Sequence, residues 1–387
     1  MHLPEKIFQF IFDNENIDEH TLLLKKDIFT EVTNKYLASQ IYARKKAKYK
    51  LPEWYNNYKI IYPEKINLEQ SSSQYTAKYK RDIVNNVDIL CDITGGFGVD
   101  FYYLSIDKKH NYYIENNKQL CEIVSHNFEK LGAENNQIIN DNGIEYIKNS
   151  NLHFDMIYID PSRRKLDKKV YNIYDCEPNI ITHMPMLLQK SSQVLVKLSP
   201  MIDIKYLLNT FKNIAEIHVI SVQNECKEIL ILLNNNMNNT LLLYAVELNN
   251  YKNIIYKLDK YNHTNSYIYD DKIHKYIYDP YVSIVKSGAL IQVAYDYDIH
   301  KISTNTSLYF SDMLKENFPG RVFEVIDKID KNNKKRYLVH VLMRNVKMTV
   351  QEIYKKYNVA EGNEYYLIVY SNGNNKIQAL LCKIVKH

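Results

Sequence analysis

The pattern of apolar and polar positions changes character along the chain. Residues 1 to about 80 carry helical spacing and few strand signals. Between Asp27 and Lys50, residues Ile28, Val32, Tyr36, Leu37, Ile41 and Tyr42 fall on one side of a predicted helix. Leu51-Pro52 stops it, and a second helix follows Ser71-Ser72-Ser73, from Gln74 to Arg81 or beyond. From Ile83 short apolar runs alternate with amphipathic ones. Strands are predicted at Ile83–Ile93, Asn111–Glu115, Gln137–Asn140, Phe154–Ile159 and Ser192–Leu198. Helices fall between them at Val99–Ile106, Lys118–Leu131, up to Lys148, Asn179–Gln189 and Ile204–Lys212. Strands Glu216–Val222 and Lys227–Leu233 have no helix between them, so they can pair as an antiparallel hairpin. Beyond Thr240 the pattern reads as a small α+β module. It has strands at Thr240–Glu247, Arg321–Ile329, Arg336–Arg344, Glu364–Tyr370 and Ile377–Val385, and helices at Pro280–Tyr295 and Thr349–Tyr357. Thr349 and Glu352 stand at the capping-box positions of the last helix.

Glycine sharpens this reading. The chain has nine glycines in 387 residues, and three of them, Gly95, Gly96 and Gly98, sit in Asp88–Asp100, DILCDITGGFGVD. Clustering in so glycine-poor a chain asks for positive φ or for close approach of a ligand to the backbone. Strand, glycine turn and helix open a nucleotide-binding α/β domain. Gly-Gly-Phe-Gly is not the dinucleotide G-x-G-x-x-G, and Val99-Asp100 replaces the Lys-Ser or Lys-Thr of a P-loop. Asp92 and Asp100 flank the turn and would repel a phosphate. They suit a ligand with an amino group and no phosphate, such as S-adenosylmethionine (SAM).

Ligands of open α/β sheets bind outside the carboxyl ends of the strands. Asp92 with Thr94, Gly95, Gly96, Phe97 and Gly98, then Glu115, Asp141 and Asp160, all fall at such ends. Asp92 and the turn would hold the methionine end of SAM. Glu115 can accept from both ribose hydroxyls. Asp141 with Asn142 can accept from the adenine amino group. Asp160 sits where the methyl group meets its acceptor.

Composition changes little. A net charge of +5 permits nucleic-acid binding without demonstrating it. The excess of Tyr over Phe, 35 to 12, alongside abundant Asn, Lys and Ile, fits a bias toward AT-rich codons, so Lys- and Asn-rich patches carry little weight. One basic run, Arg44 to Lys50, is a candidate phosphate-backbone contact or else a solvated helix face. The five cysteines form no CxxC pair and no metal spacing, which fits a reducing cytoplasm; no metal, no membrane span and no signal peptide are expected.

The series DITGGFGVD, YYIE, NDNG and YIDPSRR resembles a family of bacterial class I SAM-dependent methyltransferases with a C-terminal THUMP-like domain. The resemblance extends to RKKAKYKLPEW, NECKE, YDPYVSIVKSGA (Tyr278–Ala289) and DMLKENFPGRVFEV (Asp312–Val325). It implies an α/β fold. A Rossmann-like, seven-stranded methyltransferase sheet would occupy residues 81–248, behind an N-terminal helical region over 1–80. A connecting region with a ferredoxin-like element, 249–322, would lead to a THUMP-like module over 323–387. THUMP domains accompany tRNA- and rRNA-modifying enzymes, so RNA is the implied substrate.

At the acceptor side, Asp160-Pro161-Ser162-Arg163-Arg164 lacks the aromatic residue of amino-methylating Asp/Asn-Pro-Pro-aromatic motifs. Arg163 and Arg164 could bind a phosphate or stack on a base. Pyrimidine carbon-5 methylation would need a cysteine nucleophile. Ser199 stands where that residue often falls, and Cys226 is either a candidate or the opening of a strand. Lys197 could bind phosphate, tune the acceptor or pair with an acid such as Asp160. The expected activity is methylation of a base nitrogen in tRNA or rRNA. A methyltransferase of small molecules or proteins, and a non-catalytic RNA-binding protein, are the alternatives.

Overall fold

The computed structural model describes residues 3–84, 86–163, 173–236, 241–249, 253–258, 269–270 and 272–386. The chain forms two compact units, residues 1–216 with 229–240, and residues 217–228 with 241–387.

The strands of the first sheet are β1 (Ile89–Asp92), β2 (His110–Glu115), β3 (Asn136–Asn140), β4 (Phe154–Ile159), β5 (Ser191–Leu198), β6 (Ile214–Val222) and β7 (Glu225–Asn234). Two further strands, β8 (Leu242–Leu248) and β9 (Ile254–Leu258), extend it, in the order β9-β8-β6-β7-β5-β4-β1-β2-β3. β1, β2, β3, β4 and β5 run parallel, and β7 returns antiparallel beside β5. The first seven strands thus follow 3-2-1-4-5-7-6, with the predicted hairpin at the reversing end. Nine strands replace the expected seven because Leu242–Leu248 adds to the sheet as an eighth strand and brings β9 with it by antiparallel pairing. β1 is shorter than the run Ile83–Ile93 suggested, because a helix over Gln74–Ile83 uses its first residue. The centre of the sheet is mainly apolar, as strands covered on both faces tend to be: Leu90, Ile157, Ile159, Val194 and Val196 are buried.

The N-terminal helices pack against this sheet's unit through specific polar clamps. Gln40 exchanges two hydrogen bonds with the Tyr62 backbone (2.8 and 2.9 Å), and buried Asn127 does the same with Ile61 (2.8 and 2.9 Å). Trp54, wholly buried, packs its ring on Phe97, Tyr102 and Phe128. The helix expected over Asp27–Lys50 runs only Asn34–Lys50, because Thr33 caps it and Asn34 ties down residues 22–26.

The basic run at its end is not a free surface. Arg44 is buried against Glu15, with its guanidinium over Tyr55. Lys45 reaches the Ile17 carbonyl and Glu19, and Lys50 the carbonyls of Leu68 and Glu69. The candidate phosphate contact there is therefore corrected: most of those charges hold the N-terminal helices together.

In the second unit, β10 (Tyr276–Pro280), β11 (His300–Ser303), β12 (Thr306–Ser311), β13 (Gly320–Lys328), β14 (Tyr337–Arg344), β15 (Val359–Glu361), β16 (Tyr365–Ser371) and β17 (Ile377–Lys386) form one sheet, in the order β11-β12-β10-β13-β17-β16-β14-β15. β13 pairs with both β10 and β17, so residue 323 lies inside a strand rather than between modules. Strand alternation sends Tyr278 to a core under Val282–Ser287 and Leu290–Asp296, and Ile277 to a second core with Phe310, Phe323 and Ile368. Gly288 (φ 79°) divides what the apolar pattern joined as one helix over Pro280–Tyr295. Among the described residues no helix is long and apolar enough to cross a membrane, and no His, Cys, Asp or Glu group could hold a metal ion.

Candidate active site

The turn after β1 is built by close contact. The three glycines have different reasons to be glycine. A Cβ at Gly95 would overlap the Tyr113 ring, and one at Gly98 (φ +77°) would press on Val124 and Phe128. A Cβ on Gly96 (φ +58°) would meet nothing nearer than the Thr94 carbonyl at 3.6 Å, so that side of the residue is open. Tyr113 also donates from its hydroxyl to the Gly96 carbonyl (2.6 Å), which fixes the turn to β2. Phe97 points inward and packs on Trp54.

Glu115, at the end of β2, accepts from the Gly96 N–H (2.8 Å) with one oxygen and from the Asn117 N–H (2.7 Å) with the other. Each oxygen keeps a lone pair for a further donor. On the neighbouring strand end, the Asp141 N–H donates to the Glu115 carbonyl (3.2 Å), and the exposed Asp141 carboxylate accepts from Asn142 N–H (2.7 Å). Asn142 itself caps the helix Gly143–Asn149, accepting from Ile144 and Glu145. A Cβ on Gly143 would overlap the Ile93 backbone, so the loops after β1 and β3 touch. Glu115, Asp141 and the glycine turn are therefore gathered on one rim, as the strand-end reading expects.

Asp92 is 2% exposed and accepts from the Thr94 N–H (2.9 Å) and hydroxyl (3.2 Å). Burial, reinforced by the carboxylates of Asp100 and Asp160, raises its carboxyl to about 8. Thr94 continues the chain of contacts: its hydroxyl accepts from the Asp160 N–H (2.7 Å).

Beneath the turn lies a charged cluster that sequence reasoning located only in part. Asp100 is buried and accepts from Ser72 and Tyr158 hydroxyls, both at 2.7 Å. It pairs with Lys80 (3.0 Å), whose side chain is wholly buried, and with Lys197 (3.5 Å). Burial alone would push the Asp100 carboxyl up; the ammonium groups of Lys80 and Lys197 overcome this and hold it well below the usual carboxylate range. Lys197 also donates to Ser72 (3.2 Å) and pairs closely with Asp160. Burial moves the Asp160 carboxyl up, and Lys197 offsets this only partly; 36% of the Asp160 side chain remains exposed. The structure thus gives Lys197 the acid-paired reading, and it gives Asp100, expected beside the cofactor, a set of internal partners that fill its carboxylate.

Ser72, Lys80, Tyr113 and Tyr158 were not visible as site residues. Lys80 did leave a trace: it lies three and four residues from Ala77 and Thr76 on the buried stripe of its helix. After β4, Ser162 and Arg163 pair with Glu177 and Cys176 in a short ribbon. The Arg163 side chain and all of Arg164 lie outside the described residues.

The residues present fit SAM by their chemistry. An acid with two open lone pairs closes β2, a glycine with room at its Cβ position stands beside it, and a buried carboxyl paired with no cation among the described residues could accept an ammonium.

The family described as Conserved hypothetical protein 95 matches residues 82–199, and one described as a ferredoxin-like domain matches residues 276–319. No curated protein matches in sequence. Among solved structures, a protein of Porphyromonas gingivalis W83 described as a candidate methyltransferase is 29% identical, covers 100% of both chains and superposes with a TM-score of 0.88. TrmK of M. capricolum, solved with S-adenosyl-homocysteine, is 19% identical over 43% of this chain and 70% of its own, with a TM-score of 0.33. An rRNA methylase from Streptococcus thermophilus is 15% identical over 41% of this chain and 93% of its own, with a TM-score of 0.31. The last two likenesses are partial and carry no argument here. Strand order and the full-length likeness agree on the fold of a SAM-dependent methyltransferase, with a ferredoxin-like element over residues 276–319.

Proposed function

We propose that the chain transfers the SAM methyl group to a base nitrogen of tRNA or rRNA. Asp160 carries this reading. Its backbone is hydrogen-bonded to Thr94 of the cofactor turn, and its carboxylate is held by Lys197 but partly open to solvent. A carboxylate so placed can accept from the N–H of a base amino or ring nitrogen and orient its lone pair toward the S–CH₃ bond. Glu115 would bind the ribose hydroxyls, Asp141 the adenine edge, and Asp92 with the Gly96 backbone the methionine end. SAM supplies the methyl group; the chain's own residues bind, align and exclude water. Arg163 and Arg164 would approach the substrate, and the C-terminal module, THUMP-like by resemblance, would engage RNA.

The internal ties of Arg44, Lys45 and Lys50 remove one feature that favoured a nucleic acid, and so favour a second reading, a small-molecule or protein acceptor. Transfer of tritiated methyl from SAM to total RNA, compared with total protein and small-molecule extract, separates the two. Label in RNA that is lost in Asp160→Ala, with SAM binding kept, supports the proposal. Label confined to protein or small molecules, or full RNA labelling by Asp160→Ala, refutes it.

A further inference from the structure

Two of the segments that carry the family resemblance, Tyr278–Ala289 and Asp312–Val325, meet in the second unit at a buried charge. Asp279 on β10 is 1% exposed and stands directly across from Arg321 on β13. Arg321 donates to it from Nε (3.2 Å) and Nη2 (2.6 Å). Arg344, the last residue of β14, donates to both carboxylate oxygens from Nε and Nη2, each at 2.8 Å. Gly320 brings the two strands together here, since a Cβ on it would overlap the Asp279 carbonyl.

One carboxylate therefore holds two guanidiniums, and the group keeps one net positive charge. The arginines' side chains are 24% and 28% exposed while the carboxylate is fully enclosed. An apolar trio would stabilise the sheet as well or better. Asp279 uses the Nε and Nη2 edge of each guanidinium; Arg344 Nη1 donates to the Met343 carbonyl (2.9 Å), and Arg321 Nη1 has no hydrogen bond among the described residues. Side-by-side guanidiniums fixed from behind are pre-organised for a tetrahedral oxyanion, which accepts from two forks at once.

We propose that Arg321 and Arg344, held by Asp279, form a phosphate-binding position for the backbone of the RNA that the enzyme modifies. This rests on the RNA reading above. The carboxylate acts as a positioning residue, and the arginines as the contacts.

The test is fluorescence anisotropy of labelled unfractionated tRNA and fragmented rRNA, titrated with the full chain at about 50 to 200 mM salt. Arg321→Gln and Arg344→Gln, folded by circular dichroism, should each weaken binding several-fold and lower the log–log salt slope by about 1. Asp279→Asn keeps both cations but loses the group that positions them, so the folded variant should weaken binding several-fold at an unchanged salt slope; a purely structural triad predicts that it titrates like the unaltered chain. If a glutamine variant does not fold, Arg321→Lys and Arg344→Lys keep the charge and lose the fork, and should weaken binding at an unchanged slope. Folded variants that titrate like the unaltered chain overturn the phosphate position alone. An unaltered chain that binds SAM in calorimetry but no RNA overturns the RNA reading and this inference with it.

Discussion

A methyl group added at Gly96 meets open space, whereas one at Gly95 runs into the Tyr113 ring. The two changes should therefore separate stability from binding. Gly95→Ala should destabilise the fold by about 1–3 kcal/mol through overpacking, read as a lowered melting temperature. Gly96→Ala bears only the strain of its positive φ, on the order of 1 kcal/mol, but should weaken SAM binding by crowding the cofactor. Glu115→Gln removes the charge from two hydrogen bonds and should cost on the order of 1.5–3 kcal/mol of SAM affinity in calorimetry. Asp92 adds a pH dependence. Its carboxyl, raised to about 8, is protonated in the free chain at neutral pH and would ionise when an ammonium arrives. SAM affinity should therefore rise with pH up to about 8 and then level, and Asp92→Asn should abolish the trend. The same shift has a stability sign. Between the ordinary Asp value, about 4, and about 8, the folded chain holds a proton that the unfolded chain has lost, so this residue's stabilisation is full below that range and is lost as pH rises through it. The difference in denaturation free energy between the unaltered chain and Asp92→Asn, followed across that range, reads this directly.

At the scale of elements, the helix Gln74–Ile83 supplies Lys80 to a site built on the sheet. It joins Ser72, Asp100, Lys197 and Asp160 into one connected set. Removing one partner of a buried pair leaves the other uncompensated, so Lys80→Met should destabilise the fold by roughly 3–5 kcal/mol in urea denaturation. This set also marks where the sequence stops being legible. The glycine turn, the four strand-end acids and the hairpin of β6 and β7 leave local signatures: turn chemistry, alternation, and carboxylates closing apolar runs. Lys80 and Ser72 leave almost none, because their burial is decided by a partner far along the chain, at Asp100 and Lys197. The basic run at Arg44 misled for the same reason, since its counter-charges lie elsewhere in the chain, Glu15 in the turn after the first helix and Glu19 at the start of the second. Similarly, nothing local in Tyr276–Pro280 or Thr306–Ser311 distinguishes a strand from a Tyr-rich loop; pairing with β13 and β11 decides it.

Across the whole molecule, the alternation of strands and helices and the closing hairpin were readable from the succession of elements, but the boundaries were not. The sheet takes in β9, beyond the expected border at 248–249, and β13 runs through the expected border at 322–323. A truncation at residue 322 would cut that strand, remove β14 to β17 with it, and leave one edge of β10 unpaired. One rim of the full chain, formed by Asp92, the Gly96 backbone, Glu115 and Asp141, should bind SAM. Calorimetric titration of the full chain with SAM tests this most directly. The prediction is binding of one SAM per chain that weakens in Glu115→Gln and in Asp92→Ala while both variants stay folded. No heat of binding and no thermal shift with SAM, or unchanged affinity in both variants, would contradict it.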